Sequence, residues 1–136
     1  SSYFTCILLD IDPTENKIYY ASAGHNDQVV LGKEKFLKLS STGKLMGVTE
    51  DVEYKEEIVE FLPEDKLILF TDGMFEELNE KDEEYGEERF LKFLSGQNNN
   101  TSESIIENAK NEIKNFLSES FQRDDMTIIV VDRVKE

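Results

Sequence analysis

Cysteine is nearly absent from the sequence, and basic residues are scarce. The single cysteine, Cys6, cannot form a disulfide within the chain, which is typical of a reducing, cytoplasmic compartment. A cysteine-phosphatase loop would need an arginine six residues later, and that position is Asp12. Lysine and arginine total 15 against 30 aspartates and glutamates, so the formal net charge is −15. This charge rules against a nucleic-acid binder and against electrostatic docking on an anionic membrane.

Long apolar runs and targeting signals are also lacking. The longest apolar segments are too short to span a bilayer, and no secretory signal is recognisable. The chain opens with two serines and passes directly into a strand-like segment, which predicts a piece cut from a longer protein. Hydrophobic residues make up 38% of the 136 residues and charged residues 33%, as in a folded domain with a real core.

The first half of the chain has the patterning of β-structure. Turn residues at 12–16 and 32–35 predict two hairpins, and Pro63 opens a third turn. The segment 66–71 is continuously apolar, which is typical of a central strand buried on both sides. The predicted strands are 3–9, 17–22, 28–31, 36–39, 54–61 and 66–71.

Helical spacing takes over in the second half. Apolar residues predict a helix over 87–94 and an amphipathic helix of about four turns that begins after Thr101 or Ser102. A last strand is predicted over 126–131. The order of strands, then helices, then a strand predicts an α+β fold with antiparallel sheet and helices in one layer.

Bare aspartates stand at the ends of two predicted buried strands. Thr71, Asp72 and Gly73 follow the apolar strand 66–71, and Asp124 and Asp125 directly precede the last strand. Strand ends hold side chains rigidly, and carboxylate oxygens are the ligands that Mg²⁺ and Mn²⁺ prefer. On spacing alone, a turn and a connector explain the same residues and are the more common explanation.

Six stretches, in the same order along nearly the whole chain, resemble the SpoIIE/RsbU-type bacterial serine/threonine phosphatases. These belong to the metal-dependent (PPM, type 2C) protein phosphatase family. The resemblance implies a β-sandwich flanked by helices, with Asp72 and Asp124 as metal ligands and with Asp125, Gly73 and Thr71 in support. The matching stretches are Tyr-Phe-Thr at 3–5, Ala-Ser-Ala-Gly-His-Asn at 21–26, Leu-Met-Gly at 45–47, Leu-Ile-Leu-Phe-Thr-Asp-Gly at 67–73, Tyr-Gly-Glu-Glu-Arg at 85–89 and Gln-Arg-Asp-Asp-Met-Thr at 122–127.

The same resemblance implies a function. It predicts hydrolysis of phosphoserine or phosphothreonine on a regulatory protein, with water activated by two Mn²⁺ or Mg²⁺ ions. The substrate implied is a STAS-type anti-sigma-factor antagonist, and the regulator implied is an upstream sensor domain. His25, the only histidine, falls in a loop element and is expected to brace that loop by hydrogen bonding rather than to bind metal.

The sequence departs from the family pattern in one large way. The family's first metal motif, a Gly-Asp-x-x-Gly-His-Gly stretch, is absent together with the first strands and paired helices. Residues 1–136 are therefore predicted to be the C-terminal portion of one phosphatase domain. Two aspartates cannot supply the ligands of two metals, so we expect this chain alone to bind metal weakly and turn over little. An uncovered sheet edge and apolar face predict self-association.

Two alternatives remain open at the level of sequence. A non-catalytic interaction module could keep the same fold. Asp10 and Asp12 also match the Asp-x-Asp-x-Thr motif of haloacid-dehalogenase-like phosphatases, in which Asp10 would be the nucleophile. The segment 75–89 carries eight acidic side chains against two basic ones. We interpret it as a solvated loop or helix start that could also select partners by charge.

Overall fold

The computed structural model describes residues 2–135, which form seven strands and two α-helices. Strands and helices alternate little along the chain, because both helices fall between the sixth and seventh strands. The elements are β1 (Cys6–Asp12), β2 (Lys17–Ala23), β3 (Gln28–Leu31), β4 (Phe36–Leu39), β5 (Glu57–Glu60), β6 (Lys66–Phe70), a 3₁₀ turn (Asp72–Met74), α1 (Glu87–Ser95), α2 (Ser102–Leu117) and β7 (Ile128–Asp132).

The strands form two antiparallel sheets that pack face to face. One sheet has the order β1-β2-β5, and the other has the order β4-β3-β6-β7. Both helices cover the outer face of the four-stranded sheet. The predicted α+β class, an antiparallel β-sandwich flanked by helices, is confirmed, with helices on one side within residues 2–135.

Alternation along the central strands divides the core into two layers. In β6, Leu67 points into the layer between the sheets, while Ile68 and Phe70 point into the layer beneath the helices. All three side chains are buried, which confirms that β6 is covered on both faces. The layer between the sheets is completed mainly by Ile18, Tyr20, Val30, Leu39 and Phe61.

The helical layer is packed by aromatic rings. Phe90 of α1 is fully buried and meets Phe70 of β6 edge to face, with ring centroids 4.9 Å apart. The α2 helix starts at Ser102 because Thr101 is its N-cap, with a hydroxyl that accepts the Ser104 N–H at 3.2 Å. Its buried face consists of Ile105, Ala109, Ile113 and Leu117.

Several predicted strand boundaries differ from the structure. The first strand, predicted over 3–9, is β1 at Cys6–Asp12, because those are the residues that pair with β2. The strand predicted over 66–71 ends one residue earlier, at Phe70. The prediction for 54–61 shrinks to β5, because its partner β2 pairs with only four residues of it. The prediction for 126–131 becomes β7 at Ile128–Asp132. The backbone N–H of Thr127 goes to the Thr71 hydroxyl at 3.2 Å instead of continuing the ladder, so β7 starts two residues later than predicted.

The haloacid-dehalogenase alternative is wrong. Asp10 lies in β1 opposite Tyr19 of β2, in an antiparallel hairpin rather than in the parallel sheet that this alternative needs. Asp12 caps the hairpin turn, where its Oδ1 accepts the N–H groups of Thr14 and Glu15 at 2.9 and 3.0 Å. Both residues therefore have a local structural explanation.

The outer face of the three-stranded sheet carries apolar side chains without a covering layer among residues 2–135. Leu8 of β1 is 73% exposed, and Ile58 of β5 is 54% exposed. Both side chains lie on the face opposite the core. Ile18 of β2 and Val59 of β5, which pair with each other, point into the core from the other face of the sheet. No helix within the described part of the chain has the length and apolar character needed to cross a bilayer.

Candidate functional site

Two segments carry the candidate aspartates: residues 71–73 after β6, which we call the Asp72 corner, and residues 124–125 before β7, which we call the Asp124 corner. The two corners meet at one end of the β6–β7 pair. β6 and β7 are antiparallel neighbours, and Phe70, the last residue of β6, pairs with Ile128, the first residue of β7. Beyond that pair, the Thr71 N–H donates to the Thr127 carbonyl at 3.1 Å. The chain therefore leaves the sheet toward Asp72 at the place where it arrives from Asp125.

Asp72 has a fixed backbone and an exposed side chain. Its carbonyl accepts the N–H groups of Phe75 and Glu76, both at 2.9 Å, as the chain turns into the 3₁₀ segment. The Thr71 carbonyl accepts the Met74 N–H at 3.1 Å in the same turn. A rigid backbone that presents a solvent-facing carboxylate is the arrangement that a metal ligand needs.

Gly73 lies directly against the other corner. It is buried, and a Cβ added at this position would lie 2.2 Å from the Asp125 carbonyl oxygen. That separation is far below any tolerated contact, and the obstacle is backbone rather than a movable side chain. Glycine is required here because the two corners touch through their main chains.

Asp124 and Asp125 are exposed and follow one another in a tight local arrangement. One carboxylate oxygen of Asp124 accepts the Asp125 N–H at 2.7 Å. The Asp124 carbonyl accepts the Gln122 side-chain amide, also at 2.7 Å. One carboxylate oxygen therefore orients the exposed Asp124 side chain through its bond with the Asp125 N–H.

A buried carboxylate that sequence reasoning missed joins the two corners. Glu77 is 2% exposed, although it falls within the acidic segment predicted to be solvated. Its Oε1 accepts the N–H groups of Arg123 at 3.1 Å and Asp124 at 3.0 Å, and its Oε2 also lies 3.1 Å from the Arg123 nitrogen. The solvated interpretation is therefore wrong for this residue, and no local signal distinguishes Glu77 from its acidic neighbours.

A buried amide holds the strand end from the other side. Gln28, 1% exposed, accepts the Phe70 N–H at 2.6 Å through Oε1 and donates through Nε2 to the Phe70 carbonyl at 3.0 Å. Asn26 donates to the same carbonyl at 3.2 Å. Gln28 therefore completes the backbone bonding of the residue that precedes Thr71. A polar residue opening an otherwise apolar strand is the only sequence signal for it.

His25 and Arg123 have side-chain partners other than the candidate aspartates. The His25 Nδ1 lies 3.0 Å from the Thr5 hydroxyl, which agrees with the predicted bracing of its loop. The Arg123 guanidinium lies 3.6 Å from a carboxylate oxygen of Asp82, and both side chains are largely exposed. A surface ion pair of this kind contributes little stability.

Negative charge concentrates where the corners meet. Partial desolvation raises the pKa of Glu76 above its usual range, and the carboxylates of Asp72, Glu84, Asp124 and Glu87 raise it further. Asp72 and Asp124 each raise the pKa of Glu76, so carboxylates from both corners lie near the same side chain. A cation bound there would relieve this repulsion.

The donor set fits the chemistry of a hard divalent cation but is incomplete. Asp72, Asp124 and Asp125 offer carboxylate oxygens, which Mg²⁺ and Mn²⁺ prefer. Among residues 2–135, however, no three histidine, cysteine, aspartate or glutamate side chains converge closely enough to hold a metal ion. A full coordination shell would have to draw further ligands from outside this set.

Comparison with known proteins finds one similar sequence and several similar folds. Protein IcfG of Synechocystis sp. is 28% identical over 124 residues, which are 90% of this chain and 19% of that protein. The SiaA-PP2C domain of Pseudomonas aeruginosa superimposes with a TM-score of 0.84 at 20% identity, over 96% of this chain and 52% of that one. The Mn-presoaked phosphatase domain of SpoIIE from Bacillus subtilis gives 0.72 at 19%, over 97% and 57%.

These likenesses define the fold and the extent of the match. The chain has the fold of a PP2C-type phosphatase domain, and it spans about half the length of those solved domains. It spans about a fifth of the curated relative. The family model described as Stage II sporulation protein E (SpoIIE) matches residues 1–134. The chain belongs to the SpoIIE family.

Proposed function

We propose that the full-length protein hydrolyses phosphoserine or phosphothreonine on a regulatory protein, and that this chain contributes Asp72 and Asp124 as metal ligands. The observation that carries the proposal is the meeting of the two corners, in which Gly73 touches the Asp125 carbonyl. Two exposed carboxylates on rigid backbone, in a shared negative environment, form one half of a cation site.

The residues of this chain have separate tasks in the proposed site. Asp72 and Asp124 hold metal, Asp125 adds negative charge beside them, and Thr71 and Gly73 keep the two corners in contact. When bound, two Mn²⁺ or Mg²⁺ ions would supply an activated water and polarise the phosphoryl group. Because no three histidine, cysteine, aspartate or glutamate side chains converge among the described residues, we expect this chain alone to bind metal weakly and to show little turnover.

The test is phosphate release from a phosphoserine peptide by the full-length protein. We expect release to depend on added Mn²⁺ or Mg²⁺ and to fall to the uncatalysed rate when a chelator removes the metal. Restoring excess metal should restore the rate, which separates metal loss from unfolding. Release that continues at full rate in chelator would contradict the proposal.

A non-catalytic interaction module of the same fold is the competing function. The exposed acidic loop after Asp72 favours some role in partner selection, because unneutralised surface charge steers encounters. The same assay separates the two functions. A full-length protein that releases no phosphate under any metal condition would support the module.

The partners follow from the family rather than from contacts in the structure. We propose a STAS-type anti-sigma-factor antagonist as the phosphoprotein substrate and an upstream sensor domain as the regulator, both in the cytoplasm. The net charge of −15 supports a protein partner over nucleic acid or direct contact with an anionic membrane.

Self-association of this chain is a further part of the proposal. Leu8 and Ile58 expose apolar surface on the outer face of the three-stranded sheet, and the edges of β1 and β7 are unpaired within residues 2–135. We expect light scattering to show a dimer or larger species at concentrations of roughly 0.1 mM, in the range where weak interfaces assemble.

Charge placed on that face should dissociate the assembly. The double variant Leu8→Lys, Ile58→Lys is expected to shift the chain toward monomer. Val134→Lys is the matched control, because Val134 is equally exposed at 74% but lies outside this sheet. A wild-type chain that stays monomeric at high concentration would contradict the prediction.

A further inference from the structure

Glu77 is a buried carboxylate without a cationic partner. No side-chain nitrogen of a lysine, arginine or histidine among residues 2–135 lies within 4.0 Å of its carboxylate oxygens. Removing a charged group from water is costly unless hydrogen bonds replace the water. Among the described residues, its hydrogen-bond donors are the two consecutive backbone N–H groups of Arg123 and Asp124. The chain retains this costly arrangement at the junction of the two corners.

The position of Glu77 is itself fixed. It lies five positions after Asp72 along the chain, and its own carbonyl accepts the Tyr85 N–H at 3.1 Å. Tyr85 is buried in the helical layer, where its ring packs against Phe90 and Phe116. The Glu77 backbone is therefore held to the core, while its carboxylate accepts the backbone N–H groups of Arg123 and Asp124.

We propose that Glu77 is a positioning residue that holds the backbone of Arg123 and Asp124 against the Asp72 corner and thereby sets the affinity for Mn²⁺. The inference rests on the proposed function, because it takes Asp124 as a metal ligand. Hydrogen bonds from backbone N–H groups to an ionised carboxylate are about twice as strong as neutral ones, so two of them define the position of a short segment well.

The other contacts between the two corners do not position the backbone that precedes Asp124. The Thr71–Thr127 bonds and the Gly73–Asp125 contact restrain the chain after Asp124. Before Asp124, the bond from the Gln122 side chain is local and holds nothing to the Asp72 corner. Glu77 supplies the buried tie between the backbone that precedes Asp124 and the segment after Asp72, whereas the other link in this region, the Arg123–Asp82 ion pair, is exposed.

The test compares Glu77→Gln with wild type in the full-length protein. Glutamine keeps the shape but has one acceptor oxygen and no charge, and its NH₂ group faces donors. We expect amide hydrogen exchange at Arg123 and Asp124 to accelerate on the order of tenfold, and the dissociation constant for Mn²⁺, measured by electron paramagnetic resonance, to rise by a similar factor. Saturating Mn²⁺ should restore most of kcat.

Glu80→Gln is the matched control. Glu80 lies in the same acidic segment, and its Oε1 also accepts a backbone N–H, that of Glu119 at 3.1 Å, but it is exposed and does not touch the Asp124 segment. We expect wild-type exchange at Arg123 and Asp124 and wild-type Mn²⁺ affinity. Amide exchange in β6, at Leu67 and Ile68, serves as an internal gauge of global stability.

The outcomes separate the assignment from its alternatives. Three results for Glu77→Gln would each overturn the assignment. Amide exchange at Arg123 and Asp124 could stay unchanged, or exchange in β6 could accelerate by the same factor. Exchange at Arg123 and Asp124 could also accelerate while the Mn²⁺ affinity stays at the wild-type value. Local acceleration with weaker Mn²⁺ binding supports the assignment. A wild-type protein that binds Mn²⁺ but hydrolyses no phosphoserine would remove the proposed function and leave the Glu77 assignment standing.

Discussion

Replacing Asp72 with asparagine is expected to slow metal-dependent phosphoserine hydrolysis by the full-length protein by about 100-fold to 1000-fold, as when one electrostatic partner of a transition state is removed. Asparagine has nearly the same shape but carries no charge, and a neutral amide is a poor ligand for a hard cation. Because the Asp72 backbone is held by its own turn and the side chain is exposed, we expect no loss of fold.

Asp124→Asn should give a loss of the same order, and the double variant should be little worse than either single one. Groups that act as a unit show such non-additivity. The measurement is kcat/KM for phosphate release at saturating Mn²⁺, with Mn²⁺ binding recorded separately.

Asp10→Asn is the control for this series, because Asp10 is exposed on β1 and paired in an antiparallel hairpin. We expect wild-type rates. Activity that survives Asp72→Asn and Asp124→Asn would refute the metal assignment. Activity lost only in Asp10→Asn would require a different phosphatase chemistry.

Gly73→Ala is expected to reduce activity by about 100-fold, although the added methyl group touches no substrate and carries no charge. The new Cβ would fall 2.2 Å from the Asp125 carbonyl oxygen, so main chain rather than a flexible side chain would have to shift. One corner must therefore move by about an ångström relative to the other, and displacements of that size are costly for catalysis. We also expect about 1–3 kcal/mol of destabilisation from overpacking.

Gly96→Ala is the matched control for that change. Gly96 ends α1 with φ −86°, and a Cβ there would meet its nearest neighbour at an ordinary 3.5 Å. The same substitution should be neutral or stabilising by about 0.4–1 kcal/mol. Phosphate-release kinetics and chemical denaturation of both variants check the prediction. Wild-type activity in Gly73→Ala would show that the contact between the corners is not needed.

Much of the fold follows from local patterns in the sequence. The bounds of β3 and β4 match their predictions, because turn residues at 32–35 separate two short apolar runs. The α2 helix and its Thr101 cap follow from apolar spacing and a hydroxyl in the right place. The start of β7 does not follow, because it depends on a bond between Thr127 and Thr71, which lie far apart in sequence.

The candidate site is only partly visible in the sequence. Asp72 and Asp124 could be named because strand ends and family motifs mark them. Glu77 and Gln28 could not, because their burial is created by partners more than forty positions away along the chain. A glutamate among acidic neighbours has no local mark of burial, and its role depends on tertiary contacts alone.

Because β6 pairs with β7, mutations far from the aspartates can affect the candidate site if they change the register of the two strands. A slip of β7 by two residues would leave Val130 and its neighbours on the same face of the sheet. The same slip would carry Asp124 about 7 Å along the strand direction. The distance between the Asp72 and Asp124 carboxylates therefore depends on the register in which β7 pairs with β6.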